Sequence, residues 1–404
     1  MRNVYLDHNS TTPVAPEVLE AMLPYFSREA GNASSIHSPG QRARAAVERA
    51  RASVAALIGA RPAEIVFTSG GTESDNLALF GIPAIAAGLP AHVITTTIEH
   101  HAVLNTCQAL ENRRVEVTYV PVNSQGVVDP ENVRRAIRTR ETAREQEVPG
   151  FNEKVRIGTV LISVMHANNE LGAVQPVEEI GKIAAEAHVC FHTDAVQTAG
   201  KIPVNVNAIG ANLLSISAHK LRGPKGVGAL YVRKGMHLRP LFYGGHHERD
   251  RRPGTENVPG IVGLGRAAEL AMANMAADAG RIGALRDRLE RELVARVPQA
   301  RVNGGHAPRT PNTTNIVFPF VEGEAMVISL DLKGIACSTG AACSAGAVEP
   351  SHVLTAIGLS PEDARASLRF SLGHDTTDED IDYAIEVVPG AVEHLRALSP
   401  MYQK

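Results

Sequence analysis

The sequence predicts an α/β fold, with a mostly parallel sheet covered by helices in a large domain and a smaller α+β domain. Strand-like and helix-like patterns alternate through the first two thirds of the 404-residue chain, which is typical of parallel sheets with helices on both faces. A long helix rich in Ala, Leu, Arg and Glu, expected over about 261–297, then replaces this alternation. We therefore expect a large domain at 15–260 and a small domain formed by 1–14 together with 261–404.

Short apolar runs predict the strands of the large domain, and helix-like stretches between them predict crossover helices. Gly59 is expected to end the first of these helices. The charged segment 140–154 has few β-branched residues and is expected to form an exposed excursion. The predicted strands are 64–68, 92–96, 115–120, 159–165, 189–193, 213–217 and 228–232, and the predicted helices are 41–58, 130–142 and 176–187.

The composition describes an ordinary globular protein, with 44% hydrophobic residues, 21% charged residues and a net charge of -3. Because there is no basic surplus, nucleic acid is not an expected partner. No apolar run approaches the length of about eighteen residues that predicts a membrane span. The four cysteines are too few for a disulfide framework and, together with an N-terminus that lacks a signal-peptide pattern, favour a cytoplasmic location; they are Cys107, Cys190, Cys337 and Cys343.

Lys220 lies between a predicted strand rich in hydroxyl side chains and a glycine-rich bend. A lysine that is partly desolvated there can form a Schiff base with a carbonyl cofactor, although a surface lysine in a turn is the alternative for this residue alone. Asp194 closes the apolar run at 189–194, so it would stand at the carboxyl end of a buried strand, where open α/β sheets bind ligands. A Schiff-base lysine with an aspartate facing a pyridine nitrogen is the pairing that pyridoxal 5'-phosphate (PLP) needs.

The segment FTSGGTESDN at 67–76 runs from a predicted strand through two glycines into a predicted helix. Backbone amides at the start of a helix bind phosphate well, and Thr72 would add a hydroxyl donor beside Gly71. A plain turn between a strand and a helix is the alternative. The segment is not a P-loop, because the required spacing is absent.

Polar residues follow two further predicted strands. His100 and His101 would be a surface pair, a metal pair, or an imidazole that stacks on a cofactor ring and moves protons; their spacing is not that of two ligands on one helix face. Asn168 and Asn169 either cap a loop or place an amide near a phenolate oxygen.

Cys343 lies in the segment 335–346, in which eight of twelve residues are Gly, Ala or Ser. A thiol in such a segment is accessible and suits a nucleophile that visits a buried site. Buried, inert cysteine is the alternative; Cys107 and Cys190 fit it, and Cys337 is intermediate. A zinc site would need more ligands than Cys337 and Cys343 supply.

Ten motifs, in order along the chain, resemble the cysteine desulfurases of the NifS/IscS type, which belong to the class V aminotransferase superfamily and have the PLP-dependent transferase fold type I. The resemblance therefore implies that fold, a PLP cofactor and a homodimer. The motifs are YLDHNSTTP at 5, NASSIHSPG at 32, FTSGGTESDN at 67, EHHAVL at 99, ANNELG at 167, HTDAVQTAGK at 192, SAHKLRGPKG at 217, GTEN at 254, CSAGAVEPSHVL at 343 and RFSLG at 369.

The resemblance also implies the roles of residues around the cofactor. Lys220 would form the Schiff base, and Asp194 would face the ring nitrogen. Gln197 would hydrogen-bond the phenolic oxygen, and His100 would stack on the ring and assist proton transfer. The phosphate would be held by residues from both subunits, namely the Gly71 amide, Thr72, Ser217 and His219 of one subunit and Thr255 of the other.

The implied reaction converts L-cysteine to L-alanine and leaves the sulfur on Cys343 as a persulfide. Asn169 and Arg369 would bind the substrate carboxylate, the arginine by a two-pronged salt bridge. An acceptor protein would then take the sulfur; an iron–sulfur scaffold, a tRNA-thiolation carrier and a thiamine-pathway carrier are all open. No resident metal is expected, although Cys343 is a candidate for transient contact with an iron–sulfur cluster on a partner.

Three other functions remain open. A selenocysteine lyase would use the same residues. A class V transaminase is disfavoured because it has no use for Cys343, and a non-catalytic iron–sulfur scaffold is disfavoured by the presence of Lys220, Asp194 and Arg369. Within the family, the loop at about 336–350 resembles the longer loop of the NifS/IscS group. Cys337 departs from the expected small residue and would be a bystander, a relay, or a disulfide partner of Cys343.

Overall fold

The computed structural model describes residues 2–139, 142–146, 154–340, 350–399 and 402. Its strands are β1 (Val4–Tyr5), β2 (Ile65–Thr68), β3 (Ala91–Thr96), β4 (Val115–Val120), β5 (Arg144–Gln146), β6 (Val155–Ile157), β7 (Thr159–Ser163), β8 (Cys190–Asp194), β9 (Leu213–Ser217), β10 (Gly228–Val232), β11 (Arg301–Val302), β12 (Thr313–Val317), β13 (Ile335–Ala336) and β14 (Ser367–Ser371). Its α-helices are α1 (Pro16–Met22), α2 (Ser38–Leu57), α3 (Gly71–Phe80), α4 (Pro83–Ala86), α5 (His101–Glu111), α6 (Pro130–Ala136), α7 (Val177–Glu186), α8 (Val206–Ile209), α9 (Val258–Arg296), α10 (Gly323–Asp331), α11 (His352–Ala356), α12 (Pro361–Arg365) and α13 (Asp378–Leu398).

The main sheet has seven strands in the order β2-β10-β9-β8-β7-β3-β4. β10 is antiparallel to both of its neighbours, and the remaining pairs that adjoin directly are parallel. These are the seven strands that the sequence predicts, and their observed ends differ from the predicted ends by two residues or fewer. The expected α/β class with a mostly parallel sheet is therefore confirmed.

The carboxyl ends of five strands of this sheet, β2, β3, β7, β8 and β9, meet along one edge. β2 and β9 point the same way because each is antiparallel to β10 between them. The segments that leave this edge therefore converge. They are the loops that follow Thr68, Thr96, Ser163, Asp194 and Ser217.

Two helix predictions have different outcomes. Gly59 follows α2 with φ +67, a left-handed conformation that glycine adopts without strain, so the predicted helix end is confirmed. The predicted helix at 130–142 is wrong in its second half, because α6 ends at Ala136 and Ile137 has extended backbone angles.

A second hydrophobic core lies around the sheet β11-β12-β14. The N-terminal strand β1 pairs in parallel with β13, and Leu6 is buried in this second core. The 39-residue helix α9 contributes Leu264 to the first core and Leu285 and Leu289 to the second. The division into domains at residue 260 stays a prediction.

The expected excursion at 140–154 lies partly outside the described residues. In the described part, β5 and β6 pair in antiparallel fashion, and neither strand was predicted. Among the described helices, none combines the length and apolarity that crossing a bilayer requires.

Candidate active site

A cavity of about 390 Å³ opens where the strand ends of the main sheet converge. Ten residues with a predicted role in the site lie on its wall. The wall consists of Asn9, Ser10, Gly71, Thr72, Asp75, His100, Met165, Asn169, Asp194, Val196, Gln197, Ser217, His219, Lys220, Gly340 and Arg369.

Lys220 reaches the cavity from the short turn that follows β9. Its ammonium donates hydrogen bonds to the backbone oxygens of Asn9 and Ser10, the second at 2.6 Å. These acceptors belong to the N-terminal segment, which closes this side of the cavity. The lysine is therefore held inside the site rather than in a surface turn.

Asp194 ends β8, and its side chain is buried at the cavity wall. One carboxylate oxygen accepts a hydrogen bond from the amide of Val196 at 2.8 Å. Burial raises the pKa of Asp194 to about 6, although this amide and the charge of Lys220 act in the opposite direction. At neutral pH the group is therefore mainly a carboxylate, which is able to bind a cation in the cavity.

Asp75 is a second buried carboxyl on the same wall, and the sequence reasoning did not assign it a role. Its Oδ1 lies 3.6 Å from Nε2 of His192 and has no hydrogen-bond partner among the described residues. Burial, and then the charge of Asp194, raise the pKa of Asp75 well above its usual value. Two buried carboxyls cannot both ionise cheaply, so Asp75 stays protonated and Asp194 carries the charge.

His100 caps the N-terminus of α5, where its Nδ1 accepts a hydrogen bond from the amide of Ala102 at 3.1 Å. Burial lowers the pKa of His100 to about 4, with further lowering by the charge of Lys220. The ring is therefore neutral at pH 7, and its proton lies on Nε2 because Nδ1 acts as an acceptor. His101 is next to it, and the ring of His352 lies 4.9 Å from that of His101. Sequence reasoning assigned no role to His352, although it lies within the motif CSAGAVEPSHVL.

Arg369 is buried on β14 and is oriented by three contacts. Its Nη2 donates to Asp7 Oδ1 and to Ser10 Oγ, both at 2.7 Å, and its Nη1 donates to the backbone oxygen of Asn169 at 3.1 Å. Its Nε is buried without a partner among the described residues. Because Arg369 also lines the cavity, its guanidinium suits a carboxylate ligand bound there.

The start of α3 lies on the cavity wall and has the features of an anion site. No described side chain caps this helix start, so the first amides face the cavity. A Cβ atom on Gly71 would come within 2.9 Å of Val196, so glycine allows the close approach here. The hydroxyls of Thr72 and Ser217 and the ring of His219 line the same cavity.

Two predicted site residues are not on this wall. Thr255 is exposed and lies away from the cavity of its own chain. Cys343 lies outside the described residues, which end at Gly340 on the cavity wall and resume at Pro350.

The three cysteines within the described residues are buried or half-buried, unlike the accessible nucleophile that the sequence predicts. Burial raises the thiol pKa of Cys107, Cys190 and Cys337 to about 12 in each case. Such thiols are poor nucleophiles at neutral pH, since the thiolate is the reactive form. Within the described ranges, no three His, Cys, Asp or Glu side chains are arranged to hold a metal ion.

Residues 4–384 match the family described as class V aminotransferase. The chain is 48% identical over 403 residues to the cysteine desulfurase IscS of Dictyoglomus turgidum. The alignment covers 100% of this chain and 98% of that relative. The chain belongs to the cysteine desulfurases. Its expected family and activity, and the fold type that they carry, are thereby confirmed.

Solved structures agree with this assignment. A structure described as a NifS-like protein matches the desulfurase with a TM-score of 0.86 and 36% identity, over 98% of this chain and 100% of the other. A second structure, described as SspA in complex with cysteine, matches with a TM-score of 0.76 and 38% identity, over 91% and 98% of the two chains.

Class V aminotransferases use PLP, and the cavity of this desulfurase fits that group at three points. Lys220 supplies an amine for the aldehyde. Asp194 is a carboxylate whose pKa is raised by burial, and a protonated ring nitrogen would supply a cation beside it. The uncapped start of α3 offers amides to a phosphate.

Proposed function

We propose that this cysteine desulfurase binds PLP in the cavity and transfers the sulfur of L-cysteine to Cys343, releasing L-alanine. The observation that carries the proposal is the placement of three groups on one wall. They are the amine of Lys220, the buried carboxylate of Asp194 and the guanidinium of Arg369. Each matches one requirement of an amino-acid substrate or of the cofactor.

When bound, PLP supplies an electron sink for the charge that develops at the substrate Cα. Asp194 would keep the proton on the ring nitrogen, because its carboxylate is buried at the cavity wall and accepts a hydrogen bond from the Val196 amide. The amine of Lys220 removes the Cα proton. Arg369 and Asn169 hold the substrate carboxylate, and the polar groups near Gly71 and Thr72 hold the phosphate.

The sulfur step uses the thiolate of Cys343. It attacks the substrate sulfur, so an S–S bond forms as the Cβ–S bond breaks, and the electron pair of that bond stays with the carbon fragment. After protonation this fragment leaves as alanine, so one thiol and one L-cysteine give one persulfide and one L-alanine. Gly340 lies on the cavity wall, and Cys343 follows it by three residues. Three residues span at most about 10 Å, so this connection supports the role of Cys343.

His100 is proposed to stack on the cofactor ring. Its imidazole is neutral, with the proton on Nε2, while Nδ1 accepts the hydrogen bond from the Ala102 amide. Acid–base assistance from this ring requires the Ala102 contact to break, since Nδ1 is the basic atom.

A homodimer with shared sites is part of the proposal. Thr255 is exposed and away from the cavity of its own chain, as expected of a residue that reaches the partner's phosphate. We also propose a cytoplasmic location and a sulfur-acceptor protein, such as an iron–sulfur scaffold, that takes the persulfide sulfur.

The proposed function predicts that the PLP-loaded enzyme releases alanine from L-cysteine, in step with persulfide formation on the protein. Assays of alanine release from L-cysteine and from L-selenocysteine, each with and without a scaffold protein, measure this. Turnover with L-selenocysteine alone would assign the enzyme as a selenocysteine lyase instead. A PLP-loaded enzyme that releases alanine from neither compound would contradict both functions.

Substitution of the two buried carboxyls separates their roles. Asp194→Asn should retain PLP poorly and lose activity by at least about 100-fold, because an unprotonated ring is a weak electron sink. Asp75→Asn is the matched control and should keep most activity, since Asp75 is already neutral. PLP occupancy by absorbance and alanine release by steady-state assay test this. The reverse order of losses would show that Asp75 is the partner of the ring nitrogen.

A further inference from the structure

Lys201 is a largely enclosed lysine that the mechanism above does not use. Its ammonium donates hydrogen bonds to Gln197 Oε1 at 2.8 Å and to Asn9 Oδ1 at 3.1 Å. Gln197 is itself buried on the cavity wall, and its Nε2 donates to the backbone oxygen of Asn9 at 3.0 Å. Lys201 therefore lies directly behind a residue that faces the cofactor cavity.

These contacts fix which way the Gln197 amide points. If the amide were rotated by half a turn, its NH₂ group would face the Lys201 ammonium, donor against donor. Its oxygen would then face the Asn9 carbonyl, acceptor against acceptor. Both contacts would be lost at once inside a buried site, where unpaired polar groups are costly. The observed orientation leaves the second hydrogen of Nε2 as the group that Gln197 can offer to the cavity.

Asn9 is held just as firmly, so the arrangement has a rigid base. Its Oδ1 also accepts from Asn312 Nδ2 at 2.9 Å, and its Nδ2 donates to Thr313 Oγ1 at 2.8 Å. Thr313 is the first residue of β12, and Asn312 directly precedes it. A change at Lys201 therefore affects Gln197 before it affects the surrounding backbone.

We propose that Lys201 is a positioning residue, which holds the Gln197 amide so that an N–H group, and not the carbonyl oxygen, faces the phenolic oxygen of the bound cofactor. The inference rests on the proposed function, because it assumes PLP in the cavity. It adds a residue that acts on the cofactor through another side chain.

The charge state of Lys201 does not weaken this role. Burial lowers the pKa of Lys201 to about 7, with further lowering by the charges of Lys220 and Arg369. Both the ammonium and the neutral amine carry hydrogens to donate, so Gln197 keeps its orientation in either form. His8 is a further titratable neighbour, and burial lowers its pKa to about 4, so it is neutral over the working range.

A spectroscopic titration of the holoenzyme without substrate tests the proposal. An N–H donor at the phenolic oxygen stabilises its negative charge, which makes the titrating proton of the bound cofactor easier to lose. Lys201→Met should therefore raise the pH midpoint of the absorbance change by about one unit. Lys201→Arg keeps a donor and should stay close to the wild type. Lys182→Met, at an exposed position of α7, is the matched control and should not shift the midpoint.

A double-mutant cycle separates positioning from a direct effect of charge. In a Gln197→Ala background, Lys201→Met should add little to the shift, because Lys201 acts through Gln197. An equal shift in both backgrounds would overturn the proposal, and so would an unchanged midpoint in Lys201→Met alone. Lys201→Leu, which also lacks a donor, replaces Lys201→Met if thermal melting shows that the latter is unfolded. A wild type that takes up no PLP would refute the proposed function instead, so the two failures are distinguishable.

Discussion

Lys220→Ala is expected to abolish turnover while leaving the fold intact. Lys220 supplies the amine for the cofactor and the base for the Cα proton, and within the described residues no other lysine lines the cavity. General-base assistance alone contributes about 10²- to 10⁴-fold to a rate, so we expect alanine release to fall by at least about 10³-fold. The measurements are steady-state alanine release and the far-UV circular dichroism spectrum.

Lys182→Ala is the control for this experiment, because it removes a lysine from the exposed surface of α7. It should match the wild type in both measurements. Lys220→Arg tests whether charge is sufficient; it should also be inactive, since a guanidinium is not deprotonated at neutral pH. Alanine release near the wild-type rate in Lys220→Ala would remove this residue from the mechanism.

Cys343→Ala is expected to stop sulfur transfer without affecting the steps before it. The variant should still bind PLP, and added L-cysteine should still change its absorbance spectrum, because neither event uses the thiol. Persulfide on the protein and release of alanine should fall to background. Absorbance titration with L-cysteine and a persulfide assay on the same sample measure the two parts separately.

Cys337→Ser is the matched control for Cys343→Ala. Cys337 is buried, and burial raises its thiol pKa to about 12, so its thiolate is scarce at neutral pH. The variant should keep most of the activity. A loss in Cys337→Ser as deep as that in Cys343→Ala would support a relay through both thiols.

Much of the main sheet was predictable because parallel strands buried on both faces produce nearly continuous apolar runs. The motifs that follow those runs along the chain then indicated the cavity residues, because the carboxyl ends of parallel strands share one edge of the sheet. The second half of the helix predicted at 130–142 failed for a local reason. The backbone is extended at Ile137, and Arg138 bonds to β7: its amide donates to Thr159 Oγ1, and its carbonyl accepts from the Thr159 amide.

The residues that sequence reasoning missed act through long-range contacts. Asn9 contacts Gln197, Lys201 and Lys220, which are about 190 to 210 positions away along the chain. Asp7 pairs with Arg369 across a separation of 362 positions. Nothing local distinguishes such an Asn or Asp from a turn residue, although their place in the motif YLDHNSTTP was a signal that the N-terminal segment belongs to the site.

The central claim, that Cys343 carries the transferred sulfur, is tested most directly by mass spectrometry after brief exposure of the holoenzyme to L-cysteine. Trypsin leaves Cys337 and Cys343 on one peptide, 334–365, because no Lys or Arg separates them. Backbone fragmentation between the two cysteines must therefore locate the added sulfur. We predict one extra sulfur on the fragments that contain Cys343 and none on those that contain Cys337 alone. Stable sulfur on Cys337 alone, with Cys343 unmodified, would contradict the account.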